Sequence, residues 1–438
     1  MAERLMTLKE IPFWWETVTM PPASPEPPTD EVVAVYDVAV IGSGITGLTA
    51  SRALAKRGAK VVVLESQTIG WGASSRNGGM TLTGLKVGAG TLFARYGREL
   101  TRRMFAASVA AIDGVEQIVK DEAIACDFSR SGHLEVACKP SHYRGFVHSA
   151  EVMAKEFNHP VRLIPRDDLR SEIGSDIYHG GLVDEASAGL NPARYVAGLA
   201  GAALKAGATL HDHAKVERMV RSGNTFRVIT SRGTLSAREV FVATSGYTGQ
   251  ATPSLQRKIV PIGSYIIATE PLSPELAHEV SPKNRMIFDS KNFLYYYRLT
   301  PDNRMLFGGR AAFFPESPGT VRESAEMLRR GMIEVYPQLR EAKVDYAWGG
   351  TLDFAFDLMP HAGKMESGIH YALGYAGHGV ALATYLGTQM AAAICGETVN
   401  DNPFTNIPFP GAPLGLYDGR PWFLPFAEVW YRFLDWVG

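Results

Sequence analysis

The chain has 438 residues, 46% apolar and 20% charged, with 44 basic against 45 acidic side chains and a formal net charge of −1. That length accommodates a large core and roughly two or three structural units, and the balanced charge excludes a nucleic-acid binder relying on a general positive field. Cys126, Cys138 and Cys395 form no C-x-x-C pair; they are too few for a disulfide framework, too widely spaced for a zinc half-site, and fit a reducing cytoplasm.

Residues 1–35 read as an arm without the apolar run of a secretory signal. Pro21–Asp30 (PPASPEPPTD) is too proline-rich for an interior helix or strand. Trp14 and Trp15 upstream imply that the arm is tied down by burying aromatic surface. Tyr36–Ile41 (YDVAVI) is then a strand, Gly42-Ser43-Gly44-Ile45-Thr46-Gly47 a turn, Leu48–Arg57 a helix stopped by Gly58, and Lys60–Leu64 a second strand ended by Glu65. This is a strand–turn–helix–strand unit. Residues 93–125 read as helix, after which short strands and turns alternate to about Gly189.

Asn191-Pro192 opens a helix over Ala193–Lys205, closed by Gly207. Strand-like pieces follow at Ala208–Leu210, Ala214–Val220, Phe226–Ser231, Gly233–Ala237 and Glu239–Ala243. Further strands fall in 259–310, including Phe293–Leu299 and Met305–Gly309; Gly319–Tyr336 is helical, and a strand–loop–helix runs from Trp348 to near Cys395. The apolar stretch Tyr371–Cys395 contains His378 and several glycines, so it reads as buried strand, loop and helix in preference to a bilayer span. In the tail, a helix from Phe426 places Phe426, Val429, Trp430, Phe433, Leu434 and Val437 on one face. That face predicts packing onto its own core or a partner subunit; an interfacial membrane foot is the second reading, weakened because only Arg432 is basic there.

No internal repeat is present. The pattern predicts an α/β protein with a Rossmann-like nucleotide-binding domain (parallel sheet plus β-meander) and an inserted antiparallel β-rich substrate domain. The expected boundaries are 1–35 for the arm, 36–110, 160–255 and 345–400 for the discontinuous nucleotide-binding domain, 111–159 and 256–344 for the substrate domain, and 401–438 for the tail.

Gly42, Gly44 and Gly47 match G-x-G-x-x-G in its required context, after a strand and opening a helix, with an acid ending the next strand. Gly42 permits the tight turn, Gly44 the approach of a pyrophosphate, and Gly47 close packing of helix on strand. Free N–H groups at the helix start, including Ile45 and Thr46, then face the diphosphate. Glu65, with Ser66 beside it, accepts from the adenosine ribose hydroxyls, and its charge repels a 2′-phosphate. The loop Gly70–Met80 (GWGASSRNGGM) directly follows the second strand. Its polar side chains and exposed backbone suit the phosphates and ring of a long cofactor.

These landmarks, with Ala243-Thr244-Ser245-Gly246 and Gly374-Tyr375-Ala376-Gly377-His378-Gly379-Val380, resemble the D-amino acid oxidase superfamily of FAD-dependent oxidoreductases, the glycine/sarcosine oxidase-like group. Within that group the likeness is greatest to γ-glutamylputrescine oxidases and related amine oxidoreductases. The resemblance implies FAD as cofactor. Gly42, Gly44, Ile45, Thr46, Gly47, Glu65 and Ser66 would bind its ADP half and, with Gly72, Ala73, Ser74, Ser75, Arg76, Asn77, Gly78 and Gly79, its pyrophosphate and neighbouring groups. Ala243, Thr244 and Gly246 would run beneath it, and Val216 would contact adenine through its backbone. Gly377, His378, Gly379 and Val380 would face the N1/O2 edge of the flavin, where the positive helix end stabilises the reduced anion. Some relatives tether the flavin to a cysteine in the strand matching about Gly350–Phe354; none occurs there, so the FAD is expected to be non-covalent. No metal site is expected.

Flavin amine oxidation needs a neutral amine, an α C–H aimed at the flavin and a dry site with aromatic walls. Tyr295-Tyr296-Tyr297-Arg298 offers them, with Tyr296 and Arg298 on one strand face and Tyr295 and Tyr297 on the other. Tyr296, Arg298 and His378 are the candidate catalytic residues. Amino-acid-specific relatives carry an arginine two residues after the W-x-G segment; here Leu352 stands in that place. This favours a small amine or imino acid over a simple D-amino acid, although Arg298, Arg310 or Arg76 could serve a carboxylate, and Asp353 or Asp357 a distal ammonium. Lys258 and the His378 region are candidates for assisting oxygen. The expected reaction transfers hydride to flavin N5 and yields an imine that hydrolyses to aldehyde and amine, with O2 reoxidising the flavin. The alternatives are a quinone-linked dehydrogenase held at a membrane by the tail, or a flavoprotein subunit of a larger complex.

Overall fold

The structure is a computed structural model that describes residues 8–24, 35–309, 319–397, 402–405, 407–424 and 426. Its nucleotide-binding sheet runs in the order His361–Lys364, His370–Leu373, Gly233–Val242, Val35–Ile41, Val61–Leu64 and Thr209–His211. The four pairings from His370–Leu373 to Thr209–His211 are parallel and the His361–Lys364 edge is antiparallel, while Val216–Ser222 and Thr225–Thr230 fold back on Gly233–Val242 as an antiparallel meander. Val38–Ile41 and Val61–Leu64 are buried throughout, because helices cover one face and the meander and later segments the other. The helices Ile45–Lys56, Pro192–Lys205 and Gly379–Ile394 pack together against this sheet. Their alanines and glycines permit close approach: a Cβ on Gly387 would stand 2.6 Å from the Thr46 carbonyl oxygen.

The second sheet runs Val344–Ala355, Ile259–Pro271, Arg304–Gly309, Tyr295–Leu299, Met286–Asp289, His133–Val136, Gly180–Asp184 and Arg162–Pro165. It is antiparallel except where Met286–Asp289 lies parallel to His133–Val136. Helix Thr320–Val335 packs its buried Ala325, Leu328 and Met332 on it with Tyr297 and Phe307. The arrangement is mixed α/β, as the element pattern predicts.

The expected domain boundaries shift at three places. Arg162–Pro165 and Gly180–Asp184, placed by sequence in the nucleotide-binding domain, are strands of the second sheet, and so is Val344–Ala355, which pairs along its length with Ile259–Pro271. Helix Ala89–Asp121 crosses the expected boundary at 110 and buries Ala111, Ile112, Val115 and Ile118 in the nucleotide-binding core. Strand propensity says that a segment is extended; it does not name the sheet that accepts its hydrogen bonds. Helix Pro140–Phe157 was also read as strands and turns. Only Phe146 is buried along it, so it carries little apolar periodicity to detect.

The arm is tied down as its tryptophans imply. Phe13–Thr17 forms a 3₁₀ turn with Trp14 fully buried against Ile266, Trp348 and Ala193. Residues 25–34 of the proline-rich segment lie outside the described residues, as do Arg310 and the tail's apolar face apart from Phe426, which is exposed. Among the described residues, no helix is long and apolar enough to cross a membrane.

Candidate active site

The glycine turn is built by contacts that admit no side chain. Gly42 has φ +100°, and a Cβ there would lie 2.8 Å from the Ala243 carbonyl oxygen; a Cβ on Gly47 would lie 2.0 Å from the Gly42 carbonyl oxygen. The helix Ile45–Lys56 opens on this turn, and its first N–H, from Ile45, donates to Ser74 Oγ at 2.9 Å. Thr46 Oγ1 and Tyr375 OH are 2.7 Å apart, joining the turn to the GYAGHGV segment. At the end of Val61–Leu64, Glu65 accepts from Ser43 N and Ser43 Oγ (3.0 and 2.8 Å) and from Ser66 Oγ and Gln67 N (3.1 and 3.0 Å). These bonds fix the carboxylate where the turn meets the second strand.

A cavity of about 560 Å³ opens over this turn. Of the sequence-predicted residues it brings together Gly42, Gly44, Glu65, Ser66, Gly72, Ala73, Ser74, Val216, Ala243 and Thr244. Its dimensions and its glycine floor fit the nucleotide half of FAD, with Glu65 at the ribose end and the open helix start at the phosphates. Sequence reasoning missed Trp71, Tyr247 and Gln250 in its wall. Trp71 and Tyr247 meet edge to face with centroids 5.5 Å apart, and Tyr247 OH accepts from Thr351 N at 3.2 Å. Trp71 belongs to the GWGASSRNGG loop, whereas nothing local marks Tyr247 or Gln250.

The rest of the GWGASSRNGG loop spends its side chains on its own conformation. Ser75 Oγ donates to the Gly70 carbonyl at 2.6 Å, Asn77 Nδ2 to the Ser74 carbonyl at 2.9 Å, and Asn77 Oδ1 accepts from Gly79 N at 2.8 Å. Arg76 lies between the rings of Trp15 and Trp71, with its Cζ 4.6 and 4.3 Å from their centroids, and donates to the Gly349 carbonyl. The arm reinforces the loop: Trp14 Nε1 donates to the Asn77 carbonyl at 2.9 Å and Trp15 Nε1 to Ser75 Oγ at 2.8 Å. Ser75, Arg76 and Asn77 therefore shape the loop with side chains that the sequence reading had aimed at the cofactor.

Strand Val344–Ala355 brings the remaining pieces together. A Cβ on Gly246 would meet the Leu352 carbonyl oxygen at 2.8 Å. Buried Asp353 accepts from Gly374 N at 2.6 Å and Tyr375 N at 3.2 Å, so it holds the turn that carries Gly377, His378, Gly379 and Val380. Burial raises its pKa, with those N–H donors opposing. Asp353 thus holds the turn through its carboxylate. Asp357 is paired with His361 Nε2 at 3.0 Å. Leu352 packs in the apolar cluster of Val260, Phe354 and Tyr417.

Tyr296 stands where the loop meets the second sheet. Its OH is 3.0 Å from Ser264 Oγ, and its ring is 3.3 Å from where a Cβ on Gly78 would lie. Tyr295 and Tyr297 face the opposite core, Tyr297 OH donating to Tyr178 OH at 2.8 Å. Arg298 corrects an expectation: it is buried, and its Nη1 and Nε donate to the carbonyls of Gly79, Leu190 and Leu299 at 3.2, 3.1 and 3.2 Å. Burial brings its pKa down to about 10, still far above neutrality. Its guanidinium clamps the Gly79 and Leu190 backbone. Lys258 is likewise engaged, donating to the Phe409 carbonyl and lying 4.8 Å over its ring.

His378 caps helix Gly379–Ile394 and lines a second cavity of about 880 Å³ with Lys86, His133, Glu135, Phe288 and Asp289. Burial lowers its pKa to about 4, so the imidazole is neutral at pH 7. This cavity lies between the segment following the GWGASSRNGG loop and the second sheet.

A family model described as FAD dependent oxidoreductase matches residues 37–393. The chain is 33% identical to the probable oxidoreductase OrdL of Haemophilus influenzae over 91% of this chain and 92% of that one. It is 31% identical to γ-glutamylputrescine oxidoreductase of Escherichia coli over 92% and 93%. Among solved structures, glycine oxidase from Geobacillus kaustophilus superposes with a TM-score of 0.72 at 20% identity, covering 86% of this chain and all of that one, a likeness of fold. With the glycine turn, Glu65 and the cavity above them, these matches establish that the chain belongs to the FAD-dependent oxidoreductases of the D-amino acid oxidase family and that FAD is its cofactor.

Proposed function

We propose that this protein is an FAD-dependent amine oxidase acting on a small primary or secondary amine or imino acid, in the cytoplasm, with O2 as electron acceptor. The observation that carries the substrate class is the absence, among the described residues, of a free guanidinium at the expected carboxylate clamp. Leu352 occupies that position within an apolar cluster, and Arg298 is consumed by backbone carbonyls. Arg98, the arginine that lines the second cavity, is ion-paired with Glu156. A bidentate clamp on an α-carboxylate is hard to replace by other groups.

Bound FAD would supply the acceptor for a hydride, that is, one proton and two electrons, from the carbon bearing the amine. The protein's own contribution is binding and exclusion of water. Phe288 supplies an aromatic wall of the second cavity, Tyr296 stands beside the GWGASSRNGG loop at Gly78, and Asp353 and Arg298 fix the two backbone segments that would face the cofactor. Burial keeps His378 neutral, so it offers a hydrogen-bonding imidazole and no charge beside a bound amine. The γ-glutamylputrescine oxidoreductase relative supports an amine substrate.

The test is anaerobic mixing of the purified holoprotein with an amine panel, then admission of air, while following the flavin absorption band. Bleaching by an amine and rapid recolouring in air is the expected result. Bleaching without recolouring would replace the oxidase with a quinone-linked dehydrogenase, and no bleaching by any amine would overturn the reading.

A further inference from the structure

Four carboxylates line the second cavity, and three have partners. Asp184 accepts from Thr83 Oγ1 at 2.6 Å and pairs with His159 at 2.8 Å, Asp289 pairs with Lys291 at 3.1 Å, and Glu156 pairs with Arg98 and Arg102. Glu135 makes neither hydrogen bond nor ion pair with a described residue. Its direction is set by the strand. In His133–Val136, Leu134 and Val136 enter the second core while His133 and Glu135 line the cavity. Phe288 is its neighbour across the parallel pairing, and Asp289 follows Phe288 on the same wall.

A half-buried carboxyl on a cavity wall is ordinarily paired within the protein, because desolvation disfavours its charge unless a cation or donor compensates. Lys86 shares the cavity and its charge acts on both Glu135 and His378, but it closes no ion pair with Glu135. The cavity thus has His378 toward the cofactor-facing turn and an unpaired acid elsewhere on its wall.

We infer that Glu135, reinforced by Asp289, receives a cationic group carried at a distance from the reacting amine, so that the preferred substrates are amines bearing a second ammonium. This deepens the amine oxidase reading and rests on it for the word substrate; the subsite itself rests on the cavity. An aliphatic linker would lie along Phe288, and the second ammonium would supply the partner that Glu135 lacks. In the free protein burial holds Glu135 at a pKa of about 7, a value that a bound cation would lower.

Two measurements on the holoprotein test the inference. The first is binding of a diamine whose amine-bearing carbons are both fully substituted, and so carry no hydrogen to be oxidised. It is followed by calorimetry and by perturbation of the flavin spectrum, against the matching monoamine. Wild type is expected to prefer the diamine by about tenfold or more, with Glu135→Gln abolishing and Glu135→Asp partly keeping that preference, as a charge-assisted hydrogen bond requires. The second is kcat/KM for a straight-chain diamine against its monoamine, where Glu135→Gln is expected to raise KM for the diamine far more than it changes kcat. Retained flavin and an unshifted near-ultraviolet spectrum establish that the variants are folded. Equal diamine preference in wild type and Glu135→Gln overturns the subsite. Glu135-dependent diamine binding without flavin reduction by any amine keeps the subsite and overturns the oxidase reading.

Discussion

At the scale of single residues, the site is governed by which charges have partners. Asp353 and Arg298 are both deeply buried and both satisfied by backbone groups, so they fix the two segments that approach the cofactor. Glu135 is the contrasting case, and its raised pKa has a consequence for folding. The folded state binds its proton more tightly than the unfolded chain does, so its contribution is fully present below the ordinary value of 4.5 and is lost as pH rises through about 7. Lys86 and Asp289 act on it in opposite directions, and burial outweighs both. Glu135→Gln removes that loss. Its thermal midpoint relative to wild type is expected to be higher near pH 8 than near pH 5, by the equivalent of about 1–2 kcal/mol. Unfolding scans of both proteins across that range check it; a pH-independent difference would show that Glu135 is not titrating there.

At the scale of elements, the glycine turn and the aromatic arm perform one task, holding the GWGASSRNGG loop and the first helix in register. Gly47→Ala would drive a methyl against the Gly42 carbonyl, 2.0 Å from an ideal Cβ, and so push the helix start off the strand. The expected outcome is protein purified without flavin, or with an FAD affinity reduced by at least about a hundredfold, from loss of the phosphate-facing N–H groups. The ratio of flavin to protein absorbance measures it directly. Sequence located this element within a few residues because strand, turn and helix are local and the motif's spacing is physical. Helix Pro140–Phe157 escaped because its single buried position, Phe146, left no periodicity to read.

At the scale of the whole molecule, the two sheets place one cavity over the nucleotide turn and a second against the strands His133–Val136 and Met286–Asp289. No cysteine stands in Gly349–Phe354, and Cys126 and Cys138 lie in neither cavity wall. FAD is therefore expected to be released intact when the protein is denatured with acid, leaving a colourless pellet; flavin retained in the pellet would demonstrate a covalent link. The same scale explains where the sequence-predicted domain limits moved. Val344–Ala355 and Gly180–Asp184 look like any short strands, and only long-range pairing assigns them to the second sheet.

Sequence by itself determined the cofactor site, because G-x-G-x-x-G and the acid after the next strand are local consequences of binding a dinucleotide pyrophosphate on a helix start. It also located the strand carrying Tyr296 and the turn before helix Gly379–Ile394, since alternation along a strand and glycine spacing are local as well. The tertiary structure decided what the polar residues do. Arg298 and Asp353 became backbone clamps, and Ser75, Arg76 and Asn77 became struts of their own loop, because each met carbonyls or N–H groups brought from distant parts of the chain. Glu135 gained its unpaired place in the cavity for the same reason: the partner of a buried charge is supplied, or withheld, by segments that sequence order keeps far apart.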